Sequence, residues 1–216
     1  MNRTLGFLGL LAVFAAGTPA EELTFVVSVE DSALRLGTAE GYDVVSLVGA
    51  TTIPSPGAPA LPQRGVNIVI PQGMRVVTAY ASALESNRLP GRFYVYPSQP
   101  PVPTSDPGFP RFVPPDPEIY ASHSPYPSAL AAFAGQGSMS GYNVASLLVT
   151  PVQYTPAEST LALNRLISLE LTLEPAELNY LPVGIRNDQT KARIEDDLKS
   201  CVLNPEDLDR FAPTSR

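Results

Sequence analysis

The chain has 216 residues, of which 44% are hydrophobic, 24 are proline and only 16% are charged. This length gives one sizeable domain or two small ones, with enough apolar residues to bury a core. So many prolines fit a helical bundle badly, because proline lacks a backbone donor and blocks helix interiors. They fit short strands joined by rigid connections. The net charge of −7 argues against nucleic acid as a partner, since phosphate binding needs clustered Lys and Arg.

Residues 1–20 are typical of a secretory signal peptide. Arg3 gives a positive start, residues 5–16 form an apolar stretch, and Thr18-Pro19-Ala20 ends on small residues that suit signal peptidase. The apolar run is shorter than the roughly 20 residues of a transmembrane span, although an uncleaved membrane anchor is the alternative. We therefore expect cleavage after Ala20 and a secreted product without membrane contact, located in the bacterial periplasm, on the cell surface or outside the cell.

Short β-branched runs bounded by turn residues predict strands in the first half of the chain. They cover residues 23–30, 42–48, 66–70, 74–80 and 92–96. We expect the third and fourth to form a hairpin around Pro71-Gln72-Gly73. Residues 53–62 contain four prolines and predict an extended connector along a sheet edge. Residues 97–117 contain nine prolines and predict either a long ordered loop or a linker between two subdomains.

The strongest periodic signal lies between Leu161 and Leu173. Six of its seven odd positions are apolar and the positions between them are mostly polar, which predicts a half-buried antiparallel strand. The run is long, so we expect a bulge near Arg165. Residues 143–152 are predicted as its partner. These patterns predict an all-β fold, an antiparallel, jelly-roll-like β-sandwich over residues 21–185.

Residues 186–216 are predicted as a short helical linker. Ile194, Leu198 and Cys201 recur at helical spacing, so we expect the Cys201 thiol to be buried. Asn204-Pro205-Glu206-Asp207 is typical of a helix start, with a cap, a proline at the first position and acids in the first turn. Arg210 and Arg216 are candidate processing sites, although basic residues in any exposed tail would look the same.

Residues 120–142 are predicted as an exposed loop. They mix Ser, Pro, Gly and Ala with isolated Leu130, Phe133 and Met139, and such apolar tips suit insertion into another protein's groove. The alternative is an ordinary connector with a helical turn at residues 129–134, folded back on its own core.

The chain offers no catalytic or metal-binding set of residues. With one cysteine, Cys201, and one histidine, His123, it can form neither an internal disulfide nor a Cys/His zinc site. His123 lies in a loop sequence, which predicts a solvated side chain. We therefore predict no catalytic residue, no metal and no cofactor.

A set of short motifs, in the family's order over about residues 23–213, resembles the propeptide of the gingipain-type cysteine peptidases, peptidase family C25. They are Gly57-Ala58-Pro59-Ala60-Leu61-Pro62, Ile68-Val69-Ile70-Pro71, Tyr94-Val95-Tyr96-Pro97 with Gln99, Tyr120, Tyr126-Pro127, Gly141-Tyr142, Pro151-Val152-Gln153-Tyr154-Thr155-Pro156 and Val202-Leu203-Asn204-Pro205-Glu206-Asp207. The resemblance implies a β-sandwich prodomain. It would act as an intramolecular chaperone and cover the active-site cleft of a cysteine-type endopeptidase until the connection is cut.

The resemblance implies that the partner is a cognate catalytic domain, in cis or in trans. The family's Cys–His dyad belongs to that domain, and neither Cys201 nor His123 matches it. Between Phe112 and Asn164 the sequence has no Lys or Arg. If residues 120–142 block the cleft, the cognate pocket should be apolar, or covered rather than filled. The alternative function is a stand-alone secreted β-sandwich module for binding or adhesion, with a face supplied by the nine tyrosines and eight phenylalanines.

Overall fold

The computed structural model describes residues 20–52, 55–101, 112–177 and 187–213, apart from the side chain of Asp188. Within these ranges the strands are β1 Glu21–Ser28, β2 Leu34–Ala39, β3 Tyr42–Leu47, β4 Thr51–Thr52, β5 Pro62–Ile70, β6 Met74–Arg88, β7 Ala131–Met139, β8 Tyr142–Val149, β9 Val152–Thr155 and β10 Thr160–Pro175. The α-helices are α1 Pro117–Tyr120 and α2 Asp188–Lys199, and 3-10 turns occupy Asp31–Ala33, Pro156–Glu158 and Pro205–Asp207.

Two antiparallel sheets form the sandwich. In the first, the β10 sheet, β10 lies between β1 and β6, and β9 pairs with the start of β10. The second, the β8 sheet, has the order β4-β5-β8-β7. The strands β2 and β3 form a separate hairpin. The prediction of an all-β sandwich is confirmed.

Alternation along β10 builds the core, as the sequence predicts. The side chains of its odd apolar positions are at most 1% exposed: Leu161, Leu163, Ile167, Leu169, Leu171 and Leu173. The predicted bulge is present, because the pairing with β6 shifts register on both sides of Leu166, next to Arg165. The guanidinium of Arg165 lies 3.1 Å from Glu85 Oε1 and 3.5 Å from Asp31 Oδ1, so it ties the bulge to two neighbouring segments.

The main core lies between the two sheets. Ile167 and Leu169 of the β10 sheet meet Ile68 and Leu147 of the β8 sheet, and all four are completely buried. Each such side chain contributes roughly 1.5–3 kcal/mol relative to an exposed one. A second cluster packs the β2–β3 hairpin onto the sandwich.

The predicted hairpin of β5 and β6 is wrong. The turn at residues 71–73 is present, with Gly73 at a φ of 72°, but β5 pairs with β8 and β6 pairs with β10. The carbonyls that flank the turn accept bonds from the Nδ2 atom of Asn143, at 2.9 Å for Pro71 and 2.8 Å for Met74. Both strands thus point apolar side chains at one core from opposite sheets, and the turn connects the two layers.

The predicted partner of β10 is also wrong. Residues 142–149 form β8 in the opposite sheet, and β10 pairs instead with β1, β6 and β9. Of the predicted partner, Val152 alone pairs with β10, opposite Leu163. Pro151 lacks the backbone donor that a continuous ladder needs, so the chain changes sheets there.

Two further segments differ from the sequence prediction. The strand predicted over residues 92–96 is an extended segment with isolated bridges, including a parallel one between Asp43 and Val95. The strand β2 is missing from the prediction. Its hairpin turn uses Glu40 and Gly41 at φ values of 53° and 84°, which suits the two left-handed positions of a type I′ turn.

Candidate functional site

Residues 120–142, predicted as the blocking loop, contain a regular strand. β7 runs antiparallel to β8 through a turn at Ser140 and Gly141. The alternative helical turn at residues 129–134 is therefore wrong, and the predicted loop is right only for residues 121–130, before β7 begins. The cause is that β8 supplies a ladder for β7, with one register shift between Phe133 and Gly135, and the small residues of β7 hide its alternation.

The three apolar tips have different environments. Leu130 is 6% exposed and belongs to the main core, so its side chain cannot reach a partner. Phe133 and Met139 lie on β7 and are 43% and 38% exposed. A cleft-covering role for the latter two stays a prediction.

Gln136 holds β7 against the other sheet. Its Oε1 accepts from the Val76 backbone N–H at 2.9 Å, and its Nε2 donates to the Met74 carbonyl at 2.8 Å and to Asn143 Oδ1 at 2.9 Å. The side-chain amide of Gln136 thus makes one donor and one acceptor bond with the β6 backbone, as the backbone of a neighbouring strand would. The β7–β8 hairpin is consequently a fixed platform for Phe133.

The family-motif residues lie in turns and extended segments of the scaffold, and not around a common pocket. Leu61 is completely buried, and Pro62 begins β5. Pro59 and Pro97 form an isolated antiparallel β-bridge. Two backbone hydrogen bonds flank it, from Ala60 N to Tyr96 O at 2.8 Å and from Ser98 N to Ala58 O at 2.7 Å. These contacts pack the predicted proline-rich connector against the fold.

The later motif residues hold the chain where it changes sheets. The Pro151 carbonyl accepts from the Asn164 backbone N–H at 2.8 Å, and Pro156 is buried at the start of a 3-10 turn. Tyr154 is 1% exposed, and its hydroxyl donates to the Phe93 carbonyl at 2.9 Å. The structure assigns these residues, with Pro71, to packing and turns.

A tyrosine cluster covers one end of the second core. It comprises Tyr42, Tyr94, Tyr96, Phe112, Tyr120 and Tyr154, with ring centroids 5.1–6.1 Å apart in successive pairs. Beside it lies a cavity of about 320 Å³, lined in part by Val44, Tyr96 and Pro101. The side chain of neighbouring Gln99 is bonded to the Val113 backbone N–H and carbonyl at 2.8 and 3.0 Å. The cluster therefore acts as packing for the flanks of the proline-rich stretch.

Burial raises the pKa of the Tyr120 hydroxyl well above the ordinary value of about 10, and nearby Tyr154 raises it further. The unfolded chain thus loses this proton at a lower pH than the folded chain does. We expect the free energy of unfolding to be insensitive to this group below pH 10 and to fall as pH rises above 10. Urea denaturation at pH 8, 10 and 11 measures the effect.

The control variant is Tyr120→Phe, which has no hydroxyl to ionise. It loses the 2.6 Å bond from Tyr120 Oη to the Val95 carbonyl, at a cost of about 1 kcal/mol at pH 8. Its stability should then fall less steeply above pH 10 than that of the wild type. Equal slopes in the two proteins would contradict the assignment.

The C-terminal segment, residues 198–211, packs on the outer face of the β8 sheet. Its buried side chains and those beneath them are Leu198, Val202, Leu208 and Phe211 over Val69, Tyr142 and Val144. The domain boundaries predicted at 20/21 and 185/186 stay predictions, and residues 185 and 186 lie outside the described residues. The distal half of the predicted linker is nevertheless part of the folded body.

Asn204 anchors the C-terminal segment. It is completely buried, its Oδ1 accepts from the Val69 backbone N–H at 2.9 Å, and its Nδ2 donates to the Val69 carbonyl at 2.8 Å. The predicted cap is therefore only partly right. Asn204 precedes a 3-10 turn and not an α-helix, and its side chain bonds the sheet instead of the turn's first N–H groups.

The predicted burial of the Cys201 thiol is wrong. Cys201 is exposed, with its Sγ 3.7 Å from Met139 Sδ. The helix α2 ends at Lys199, so the helical spacing that predicted burial does not extend to Cys201. His123 is exposed, as predicted.

The side chain of Arg210 is exposed, but it is paired with acidic groups and followed by a buried residue. Its guanidinium is 3.5 Å from Glu21 Oε1 and 3.9 Å from Asp207 Oδ1, and it stacks over the Phe211 ring at 4.8 Å. Phe211 is 5% exposed, and its carbonyl accepts from Gln72 Nε2 at 3.2 Å. Proteases bind their substrates extended, so the Arg210–Phe211 bond is a poor substrate while the segment is docked.

The other candidate processing residues give less information. Ala20 is exposed immediately before β1. Arg216 lies outside the described residues, as does the predicted signal peptide apart from Ala20. Their roles stay predictions.

Neither a metal site nor a membrane-spanning helix is found in the described part of the chain. In residues 20–52, 55–101, 112–177 and 187–213, no three His, Cys, Asp or Glu side chains group closely enough to hold a metal ion. No helix in the same ranges is long and apolar enough to cross a bilayer.

The sequence and the fold match one family. The model of the Propeptide_C25 family matches residues 28–207, so the chain belongs to the propeptides of family C25, as the motifs predict. No curated protein sequence matches significantly.

Two solved structures share the fold. One is the complex of the pro- and mature domains of RgpB from Porphyromonas gingivalis, with 14% identity, a TM-score of 0.62, and coverage of 88% of this chain and 95% of that chain. The other concerns the zymogenic latency of gingipain K from the same organism, with 21% identity, a TM-score of 0.50, and coverage of 73% and 100%. At these identities the likeness establishes the β-sandwich alone.

Proposed function

We propose that this chain is secreted and acts as chaperone and latency inhibitor for a gingipain-type cysteine endopeptidase catalytic domain. The observation that carries the proposal is the family match, which spans residues 28–207. The similar RgpB structure is a complex of pro- and mature domains, and this supports a catalytic domain as the partner. Export through the signal peptide over residues 1–20 is part of the same proposal.

The sandwich suits inhibition because its surface is preorganised. A strand held by ladder bonds and by Gln136 loses little conformational entropy on binding, so more of the contact energy appears as affinity. β7 presents Phe133 and Met139 to solvent on such a strand. The absence of Lys and Arg between Phe112 and Asn164 favours apolar contact or steric covering over insertion of a basic side chain.

The direct test uses residues 21–216 and the family C25 catalytic domain encoded in the same genome. We expect the propeptide to inhibit peptide hydrolysis reversibly, with a Ki of about 1 μM or below, and to raise the yield of active enzyme on refolding. Failure to inhibit at 100 μM, with no gain in refolding yield, would contradict the proposal.

A variant pair tests the role predicted for β7. Phe133→Asp is expected to raise Ki about tenfold or more, because a charge would have to be desolvated in an apolar contact. Leu36→Asp is the matched control, since Leu36 is 50% exposed on the β2–β3 hairpin and should leave Ki unchanged. An equal Ki for both variants would exclude β7 from the contact while leaving the proposed function intact.

A further inference from the structure

The two outer faces of the sandwich differ in how they are covered. The outer face of the β8 sheet carries Val69 and Val144, both buried beneath the C-terminal segment. The outer face of the β10 sheet, called the open face below, carries Val26 and Tyr80, which are 50% and 62% exposed. On the first face Val69 and Val144 are buried and Leu148 is 37% exposed, whereas Val26 and Tyr80 of the other face are at least half exposed.

The strand register places the side chains of the open face side by side. Thr24, Glu170 and Tyr80 form one row across β1, β10 and β6. On one side of this row, Val26 of β1 points to the same face as Thr24. On the other side of the row, Thr172 of β10 pairs with Thr78 of β6. The hydroxyls of Thr78 and Thr172 bond each other at 2.9 Å, which leaves a flat surface of methyl groups, one ring and a carboxylate.

We propose that the open face is the surface on which the catalytic domain docks. The proposal rests on the proposed function and adds a main contact surface next to β7, which adjoins the open face because Gln136 bonds the β6 backbone. Interface cores are depleted in charge, and tyrosine is enriched among the residues that dominate binding energy. Tyr80 and Val26 have this composition, whereas Glu170 between Thr24 and Tyr80 calls for a basic group on the partner.

The path of the chain favours a domain attached in cis. Arg210 pairs with Glu21, the first residue of β1, so the C-terminal segment lies next to the edge of the β10 sheet. Because β1 is an outer strand of the β10 sheet, a domain that follows in cis starts at the border of the open face. A flexible covalent connection can give an effective concentration in the millimolar range, so even a weak contact in cis would be occupied.

Charge disfavours a second copy as the occupant. The open face carries Glu22 and Glu170, and the chain has a net charge of −7. The nearby Arg75 is already paired with Glu174. Two copies packed face to face would bring like charges together, whereas a neutral or basic surface would not. The partner's contact surface should therefore carry Lys or Arg near its apolar centre.

The test measures binding of residues 21–216 to the family C25 catalytic domain of the same genome, with its nucleophilic cysteine changed to alanine. Tyr80→Asp is expected to weaken the Kd about 30-fold and Val26→Asp about tenfold. Leu36→Asp, on the distant hairpin, should stay within threefold of the wild type. All three variants should remain folded with urea midpoints slightly below that of the wild type, because the positions are at least half exposed, while aspartate is disfavoured in strands and at Tyr80 would face Glu170.

Hydrogen exchange on the wild-type complex gives a readout that needs no variant. Docking on the open face should slow exchange along the edges of β1 and β6 more than along β2. Wild-type binding with unchanged affinity in both Tyr80→Asp and Val26→Asp would overturn the location and leave the proposed function standing. Absence of wild-type binding would overturn both. A wild-type dimer that Tyr80→Asp dissociates would assign the face to a second copy and refute the docking proposal.

Discussion

Asn204→Ala is expected to release the C-terminal segment from the β8 sheet while the sandwich stays folded. The substitution leaves the buried N–H and carbonyl of Val69 without their 2.9 and 2.8 Å partners. An unsatisfied buried group costs about 1–3 kcal/mol, so the docked state should lose roughly 2–4 kcal/mol. Of the C-terminal segment, Leu203 packs against the main core, whereas the other apolar residues pack on the opposite face of the β8 sheet, so global unfolding should be affected less than local opening.

Trypsin cleavage after Arg210 reports this local opening. In the docked state Phe211 is buried and Arg210 is paired with Glu21, so cleavage has to proceed through the open state. A loss of about 2 kcal/mol in docking corresponds to roughly 30-fold faster cleavage at this bond. Mass spectrometry of the fragments over time separates this site from other Lys and Arg sites.

Glu206→Ala is the matched control, because Glu206 is exposed in the same 3-10 turn. It should leave the cleavage rate at Arg210 within about twofold of the wild type. Fast cleavage at Arg210 in the wild type, equal to that in Asn204→Ala, would contradict the shielding. If the shielding holds, maturation at Arg210 requires prior release of the C-terminal segment, and otherwise it has to occur at a different bond.

The sequence predicts the parts of this fold whose signal is local. The alternation from Leu161 to Leu173 identifies β10, and its excess length predicts the bulge at Arg165, because strand period and pleat are properties of neighbouring residues. The partner of β10 is not predictable in the same way. Residues 142–149 have a pattern equally suited to either sheet, and pairing is decided by contacts far apart in sequence.

The errors around the turns have a common physical origin. A turn sequence such as residues 71–73 predicts that the chain reverses direction. It does not predict whether the next strand joins the same sheet or the facing sheet. In this protein the Asn143 side chain donates hydrogen bonds to the carbonyls beside that turn. Asn143 is 72 residues away from Pro71, so the sequence around the turn does not predict this contact. Asn204 was missed as an anchor for the same reason, since Asn before Pro and acids is also the signature of a helix cap.

The candidate site was harder to predict than the fold. Leu130 and Phe133 look equivalent in a segment of small residues, yet one is in the core and the other is on the surface. Their difference depends on the ladder that β8 offers to β7. The open face was not predicted at all, because Val26 and Tyr80 become neighbours only through the register of β1 and β6 on β10.

Leu169→Ala is expected to lower the free energy of unfolding by about 2–5 kcal/mol, through lost burial and the cavity left behind. Leu169 is completely buried, opposite Phe25 on β1 and Ala81 on β6. Glu170→Ala, one residue further along the same strand, should change it by less than about 0.5 kcal/mol, because that side chain is exposed. Urea denaturation with a common m-value measures both, and similar effects at the two positions would contradict the alternation on which the sandwich rests.

Leu169→Ala also separates folding from docking. Since natural domains have about 5–15 kcal/mol of stability, a variant that keeps a few kcal/mol is still more than 90% folded. Its apparent Kd for the catalytic domain changes only by the folded fraction, so inhibition should match that of the wild type. Tyr80→Asp should show the reverse, with only a small loss of stability and clearly weakened binding. If inhibition instead followed stability across these variants, loss of fold would explain the effect of Tyr80→Asp, and the open face would have no separate role.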